Sequence, residues 1–344
     1  MSREALITAF LARHGFATAR AAPLAQDASF RCYLRLSDGP RPAVLMDAPP
    51  PEDIRPFVRI AGHLAGIGLS VPEIIAADAA AGLILEEDLG DDLFPVHLAR
   101  LRERSARGSA PGEGAAATTL FQAAADVLTA IQRAPPPADL PAWDAPAMTA
   151  TALATLFDWW WPAMLGAPAP DAARQDFTAA LEAILRPVAA GPTCLVHRDY
   201  FAGNLIWLPQ RGGLRRVGVL DFQSAAIGHP AYDLASLLQD ARRDIPDSVA
   251  EATIAHYLAS RPELNPAEFR NAYAACAAQR HLRVAAQWVR LARRDNRPGY
   301  LVHGPRTWRL LERAVRHPAV EPLARALDRW IPADRRRNPP EPEA

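Results

Sequence analysis

HRDYFAGN at residues 197–204 and LDFQ at residues 220–223 are the most informative segments of the 344-residue chain. The first follows a short apolar run and the second ends the next one, which predicts a strand before the first segment and a hairpin from Leu205 to Asp221. An Asp, an Asn five positions later and a strand-end Asp about 20 residues on form an arrangement used for phosphoryl transfer. Carboxylate and amide oxygens suit Mg²⁺, so Asp199, Asn204 and Asp221 are the first candidate site residues.

These motifs resemble the aminoglycoside phosphotransferase and choline-kinase-like family, from about Leu6 to about Arg325. The resemblance implies an α+β, two-lobed protein-kinase-like fold, with a small antiparallel-sheet N-lobe and a larger, mainly helical C-lobe. It also implies that Asp199 is the catalytic base and that Asn204 and Asp221 are the Mg²⁺ ligands.

The same resemblance assigns supporting roles around the first motif. His197 and Arg198 resemble brace residues of the catalytic loop. GHPAYDLASLL, residues 228–238, is typical of the family, and we expect its Asp233 to anchor the loop by hydrogen bonds.

Hydrophobic patterning along the chain predicts where the lobes lie. Residues 1–88, with a first helix at 2–14, combine short strands with one packed helix and are expected to form the N-terminal nucleotide-binding lobe. Residues 89–333 are rich in Ala and Leu and are expected to form the C-terminal catalytic and acceptor-binding lobe. We expect a mobile, low-complexity excursion at 105–117 and a disordered tail at 334–344.

Composition excludes several classes of protein. Lys plus Arg and Asp plus Glu are both 38, and this zero net charge argues against a nucleic-acid binder. All 38 basic residues are Arg, which rules out a Walker A lysine and a Schiff-base lysine. Cys32, Cys194 and Cys276 fit neither a disulfide framework nor a CxxC zinc site. With no signal peptide or long apolar run, we expect a cytoplasmic protein without a membrane partner; its oligomeric state is open.

The nucleotide end of the site must work without lysine. Met46 stands on the third strand, where a protein kinase carries its phosphate-binding Lys. The helix predicted at 52–67 also lacks the mid-helix Glu that pairs with that Lys. Arg31 or Arg35 is the expected replacement, because a guanidinium grips phosphate oxygens in a bidentate fashion. Both could instead be solvated residues on the strand.

No GxGxxG loop is present, and the corresponding loop reads QDASF at residues 26–30. Small Ala28 and Ser29 would let backbone N–H groups approach the phosphates of ATP. We expect adenine to be read by backbone groups in the segment that includes Glu86 and Asp88, whose side chains could simply be solvated.

Within the family, several segments resemble the bacterial cell-wall sugar kinases, which use ATP and Mg²⁺. These segments are DASFRCYLRL (27–36), VLMDAPP (44–50), VPEI (71–74), LEEDLGDDLF (85–94) and RLARRDNRPGYL (290–301). Such enzymes phosphorylate the anomeric hydroxyl of N-acetylmuramate and N-acetylglucosamine, which feeds peptidoglycan recycling. Asn296-Arg297 departs from the Gly-Lys expected there and could retune the sugar site.

The acceptor site is less well marked. Trp160, in a run of three tryptophans, could stack on a sugar face or pack in the core. The late motif carries Arg294 and Arg297 among four arginines against Asp295 alone, a basic rim that suits an anionic acceptor. The same arginines could instead complement a helix C-terminus.

Two other functions stay open at this point. One is a kinase of a different small alcohol, such as choline, homoserine or an aminoglycoside. The other is a non-catalytic nucleotide-binding pseudokinase, which the intact Asp199, Asn204 and Asp221 disfavour.

Overall fold

The computed structural model describes residues 2–24, 31–106 and 113–340. The twelve α-helices within those residues are α1 Arg3–Arg13, α2 Arg55–Gly66, α3 Phe94–Ala106, α4 Glu113–Arg133, α5 Ala145–Thr155, α6 Trp161–Leu165, α7 Asp171–Ala189, α8 Ala231–Leu238, α9 Asp247–Ala259, α10 Pro266–Arg294, α11 Gly304–Ala314 and α12 Glu321–Trp330. The strands are β1 Arg20–Pro23, β2 Cys32–Ser37, β3 Ala43–Asp47, β4 Ile74–Asp78, β5 Leu83–Glu87, β6 Ala142–Trp143, β7 Cys194–Val196, β8 Leu205–Trp207, β9 Val217–Val219 and β10 Ala226–Gly228. A π-helical turn joins α5 to α6.

The chain forms two compact units. The first unit contains Met1–Arg104 and Gly203–Ser224, and the second contains Ser105–Ala202 and Ala225–Ala344. The segment between Gly203 and Ser224 thus packs with the N-terminal part of the chain, although it belongs by sequence to the lobe expected at 89–333.

The first unit is built on an antiparallel sheet in the order β1-β2-β3-β5-β4. Central strands β3 and β5 are buried except at their last residues, and seven of their ten residues are apolar, whereas β1 is exposed along its length. Ser2 caps α1 by accepting a hydrogen bond from the backbone N–H of Ala5. One cluster of buried side chains in this unit comprises Phe10, Leu11, Phe16, Leu36, Ala43, Leu45, Leu83 and Leu85.

The hairpin of β8 and β9 belongs to the same unit. Leu205 pairs with Val219 in an antiparallel register, and a bridge links Ser70 to Gly218. Just beyond β9, the ring of Phe222 lies 4.7 Å from that of Phe57 on α2. In an antiparallel hairpin the start of the first strand lies beside the end of the second. The residues just before β8 and just after β9 therefore lie close together at one end of the hairpin.

The second unit holds a small sheet in the order β6-β10-β7 and most of the helices. Its longest element is α10, with 29 residues buried along most of its length against α5, α8 and α11. Asn265 caps α10 by accepting hydrogen bonds from the backbone N–H groups of Ala267 and Glu268. This helix therefore forms the axis of the second unit.

The segment expected to be a mobile excursion at 105–117 is helical where it is described. Its first two residues end α3, and residues 113–117 begin α4. Ala-rich sequence favours a helix once one face is packed, as that of α4 is against α9. Residues 107–112 lie outside the described residues.

The tail expected to be disordered at 334–344 contacts the rest of the second unit at Arg336 and Arg337. Arg336 forms ion pairs with Glu312 and Asp328, and the backbone carbonyl of Arg337 accepts a hydrogen bond from a buried indole. These contacts stabilise the tail despite its low hydrophobicity. They involve residues that are distant in sequence, so the sequence pattern alone does not reveal them. Residues 341–344 lie outside the described residues.

Among the described residues, one helix, Gly114–Arg133, is long and apolar enough to cross a membrane. Half of it is buried inside the protein, which is also the behaviour of a core helix.

Candidate active site

The loop at 197–204 begins where β7 ends and is held by one buried carboxylate. The Oδ2 of Asp233 accepts a hydrogen bond from the backbone N–H of His197 at 2.6 Å, and its Oδ1 accepts one from Arg198 at 2.9 Å. The backbone N–H of Asp199 donates to the Nδ1 of His197 at 3.3 Å. Burial raises the pKa of the Asp233 carboxyl, while the two backbone donors oppose that shift. Asp233 makes the anchoring contacts that we expected of it.

Arg198 adopts a left-handed backbone conformation, with φ 73°, that a residue with a large side chain seldom adopts. Its guanidinium carbon lies 3.9 Å from the ring centre of Trp143, a cation–π contact. Backbone strain of this kind often occurs at functional sites, and here it immediately precedes the partly exposed Asp199.

Asn204 and Asp221 meet at one end of the β8–β9 hairpin. Asn204 directly precedes β8, and its backbone carbonyl accepts a hydrogen bond from the backbone N–H of Leu220 at 2.9 Å. The Nδ2 of Asn204 lies 3.5 Å from the Oδ2 of Asp221, whose Oδ1 accepts a 2.7 Å hydrogen bond from Gln223. Asp221 also has a positive φ of 59°.

This pair supplies an amide oxygen and a carboxylate, the donor set that Mg²⁺ prefers. Within the described ranges, no group of three or more His, Cys, Asp and Glu side chains could hold a metal ion. Mg²⁺ usually keeps several waters and binds one or two carboxylates together with phosphates. A two-residue site therefore fits Mg²⁺ better than it fits a metal that needs a cage of protein ligands.

Arg31 belongs to a cluster of charged side chains around Tyr33 in the first unit. It is only 8% exposed, and its Nε lies 3.3 Å from the Oε2 of Glu52. Burial, together with the charges of Glu86 and Asp221, raises the pKa of the Tyr33 hydroxyl. The first unit thus brings Arg31, Glu86 and Asp221 around one tyrosine.

Glu86 and Asp88 differ in their surroundings. The Glu86 side chain is 5% exposed, and its Oε2 is buried with no hydrogen-bond partner in the described part of the chain. Burial raises the pKa of this carboxyl to about 8, and Arg31 opposes the shift. Asp88 accepts hydrogen bonds from the Nη2 of Arg35 at 3.1 Å and from the backbone of Gly90 at 2.9 Å.

Arg35 is surrounded by carboxylates. Its Nε lies 2.7 Å from Asp88, and both Nη atoms lie 2.7 Å from the carboxylate of Asp91. These two acids offset the positive charge of Arg35. Ala28 and Ser29 lie outside the described residues.

The residues expected in the acceptor site differ in their surroundings: Arg294 and Arg297 both lower the pKa of Asp295, whereas Trp160 lies in the core. Trp160 is fully buried, its ring centre lies 5.2 Å from that of Trp308, and its Nε1 donates to the carbonyl of Arg337. A tryptophan in this environment offers no face for a sugar, and we leave it out of the acceptor site. Exposed Arg294 is paired with Asp295 at 2.7 Å.

Arg297, the last of these residues, is partly exposed. Two further arginines of α10, Arg280 and Arg283, are not among the residues expected from the sequence. Both are influenced by the charge of Asp199. Arg280, Arg283, Arg290 and Arg294 have the spacing of one helix face, so the sequence could have indicated that they lie together.

Residues 20–270 match the family described as phosphotransferase enzyme family, and the chain belongs to that family. It is an ATP-dependent phosphotransferase. An N-acetylmuramate/N-acetylglucosamine kinase from Caulobacter vibrioides is 38% identical, over 97% of this chain and 98% of the relative. A kinase of the same name from Pseudomonas aeruginosa is 36% identical, over 89% of this chain and 87% of the relative.

The fold is shared with more distant kinases. A choline/ethanolamine kinase family protein from Mesorhizobium loti aligns with a TM-score of 0.63, over 95% of this chain and 99% of that one. At 16% sequence identity this likeness concerns the fold alone. It confirms the predicted α+β, protein-kinase-like fold class.

Proposed function

We propose that this protein transfers the γ-phosphate of ATP to the anomeric hydroxyl of N-acetylmuramate and N-acetylglucosamine. The observation that carries the proposal is the 38% identity, along nearly the whole chain, with a kinase named for these two sugars. The sugar 1-phosphate formed would enter peptidoglycan recycling. Because ATP and recycled sugars meet in the cytoplasm, we place the enzyme there, with no membrane or nucleic-acid partner.

The proposed reaction is an in-line displacement at phosphorus. The oxygen of the anomeric hydroxyl forms a bond to the γ-phosphorus, and the bond from that phosphorus to the bridging oxygen breaks. The bridging oxygen keeps the electron pair and leaves on ADP. Asp199 accepts the proton of the hydroxyl, and the double anchoring of its loop by Asp233 supports this role.

Asn204 and Asp221 would hold Mg²⁺ through their amide and carboxylate oxygens. Mg²⁺, when bound, neutralises negative charge on the phosphates. The hydrogen bond from Gln223 reaches the Oδ1 of Asp221, and the Nδ2 of Asn204 lies 3.5 Å from its Oδ2, so neighbouring amides orient both oxygens of this carboxylate. Asn204 and Gln223 thus position the acidic group from two sides.

Arg31 is the residue that we assign to the phosphates of ATP in place of the missing lysine. It carries a permanent positive charge, is buried, and belongs to the same cluster as Asp221. In this proposal residues 1–88 form the nucleotide-binding lobe, and residues 89–333 carry the catalytic loop and the acceptor site.

The test is ADP release from Mg-ATP with five acceptors offered separately: N-acetylmuramate, N-acetylglucosamine, choline, homoserine and kanamycin. We expect turnover with the two amino sugars only. The product should be labile to mild acid and stable to alkali, as a sugar 1-phosphate is.

Turnover with choline, homoserine or kanamycin alone would overturn the choice of acceptor and would leave the kinase class intact. ATP binding without turnover on any of the five would overturn the proposal and favour a non-catalytic nucleotide-binding protein.

A further inference from the structure

Four arginines lie along one face of α10. Arg280, Arg283, Arg290 and Arg294 are spaced by three, seven and four residues, with Gln287 in the longer gap. At about 100° per residue, all five positions fall within an arc of about 80°. We call these four residues the α10 arginine face.

The deeper part of this face contains buried donors with no partners. Arg280 is 5% exposed, and its Nε and Nη1 have no hydrogen-bond partner in the parts of the chain that are described. The Nε atoms of Arg283 and Arg290 are likewise buried without a partner there. Burying unpaired donors on a charged group is costly, and a guanidinium cannot lose its proton to relieve that cost. The Arg280–Arg283 pair therefore has unused capacity to bind an anion.

In the described part of the chain, no carboxylate is hydrogen-bonded to the Arg280–Arg283 pair. Arg283 donates through Nη2 to the hydroxyl of Tyr232 at 3.3 Å. The carboxylate of Asp240 is near Arg280, but it already accepts from the backbone N–H of Arg242 at 2.8 Å and lies 3.1 Å from the Nε of Arg243.

Asp199 is the other acid that acts on this pair. Its charge favours the charged forms of both Arg280 and Arg283. In the proposed reaction, however, Asp199 must remain available as the base. Arg283 is partly exposed, and its guanidinium carbon lies 6.0 Å from the ring centre of Trp143, so the pair extends from the buried Arg280 toward the surface beside an aromatic ring.

We propose that Arg280 and Arg283 are the specificity-determining residues that bind the carboxylate of the acceptor. This inference rests on the proposed function. N-acetylmuramate carries a lactyl carboxylate that N-acetylglucosamine lacks, so the two acceptors differ in the group that this pair recognises. Guanidinium groups bind carboxylates through charge-assisted, bidentate hydrogen bonds.

The outer part of the face is a less suitable site. Arg294 is exposed and already paired with Asp295, so a carboxylate would have to compete with both water and a protein acid. The difference between buried Arg280 and exposed Arg294 provides a matched control on the same helix.

The experiment compares Arg280→Gln, Arg283→Gln and Arg294→Gln in full steady-state kinetics with both sugars. Loss of a charge-assisted hydrogen bond predicts that KM for N-acetylmuramate rises about 10- to 100-fold in the Arg280 and Arg283 variants. KM for N-acetylglucosamine should stay within twofold, as should both values in Arg294→Gln. Arg283→Lys, which keeps the charge, should restore part of the affinity for N-acetylmuramate.

Two outcomes would overturn the inference. An equal fall of kcat with both sugars would mean that the pair binds the transferred phosphate, the other anion in the reaction. Equal losses that follow a lower thermal midpoint would mean a structural role only. Arg283→Gln keeps the test valid if Arg280→Gln does not fold, because Arg283 is partly exposed.

Failure of the proposed function can be told apart from failure of this inference. If the unaltered enzyme phosphorylates neither sugar, the proposed function fails. Calorimetric titration of the protein with each sugar, in the presence of ADP, then tests the pair alone. Tighter binding of N-acetylmuramate that is lost in Arg283→Gln would sustain the inference, and equal binding of the two sugars would overturn it.

Discussion

The loop at 197–204 and the α10 arginine face both contain buried polar groups, but they differ in how those groups are satisfied. In the loop, one carboxylate of Asp233 accepts hydrogen bonds from two backbone N–H groups. On the arginine face, two guanidinium nitrogens of Arg280 are buried with no partner among the described residues. A satisfied network fixes a shape before any ligand arrives, whereas unsatisfied donors mark where a ligand completes the site.

The largest expected effect concerns the loop. Asp199→Asn removes the proposed proton acceptor and should lower kcat about 1,000-fold with both sugars. The affinity for ATP should change less than threefold, and the thermal midpoint should hold because Asp199 is partly exposed. Initial-rate assays and nucleotide titration check this together. If the variant retained a tenth of the activity, Asp199 would not be the proton acceptor, and the loop would no longer differ from the arginine face in its role.

The next effect tests the anchor of the loop. In Asp233→Asn, the side-chain oxygen can accept a hydrogen bond from only one of the two backbone N–H groups, and the side-chain NH₂ group faces the other N–H. We therefore expect a loss of about 2 kcal/mol in unfolding free energy. Urea denaturation measures the loss. At urea concentrations well below the unfolding transition, where the variant is folded, kcat should be lower than in the wild type and the affinity for nucleotide should be unchanged. Unchanged stability and activity would show that Asp233 is not what holds the loop.

A smaller effect separates two arginines of the first unit. Arg31→Gln should raise KM for ATP about tenfold, because it removes a charge assigned to the phosphates. Arg35→Gln is the matched control: its guanidinium is already neutralised by Asp88 and Asp91, so KM for ATP should stay within twofold. The reverse ranking, measured by initial rates over a range of ATP concentrations, would assign the phosphates to Arg35.

The smallest effect concerns Glu86, a buried acid whose Oε2 has no hydrogen-bond partner among the described residues and which, unlike an arginine, can become neutral by binding a proton. Its pKa is raised from 4.5 to about 8, so the folded state keeps a proton that the unfolded state releases between those values. Stability therefore falls as pH rises through this window. From pH 6.5 to 7.5 we expect a fall of about 1 kcal/mol in wild type that is absent in Glu86→Gln. Urea denaturation at the two pH values measures it, and parallel curves for the two proteins would contradict it.

The core of the site could be predicted from sequence because it depends on short spacings. Asn204 and Asp221 flank a hairpin, and hairpin geometry brings such residues to one end whatever surrounds them. Burial could not be predicted in this way. Trp160 has the chemistry of a sugar platform but is fully buried against Trp308, a partner 148 positions away along the chain.

Because burial could not be predicted from the sequence, the important arginines of α10 were not identified from it either. Arg294 is a candidate from the sequence because its motif is recognisable, yet in the structure it is paired with the adjacent Asp295. Arg280 lies in an Ala-rich stretch without a motif, and its importance depends on the absence of a described partner. Helical spacing groups these residues on one face, but only packing shows which end of the face is buried.

The site of phosphorylation on the sugar tests the central claim most directly. We would treat N-acetylglucosamine and its 1-O-methyl glycoside with enzyme and Mg-ATP, and record phosphorus–proton correlation spectra of the products. The account predicts coupling of the phosphorus to the anomeric proton of N-acetylglucosamine and no product from the glycoside. Phosphorylation of the glycoside, or coupling to a proton elsewhere on the ring, would contradict it.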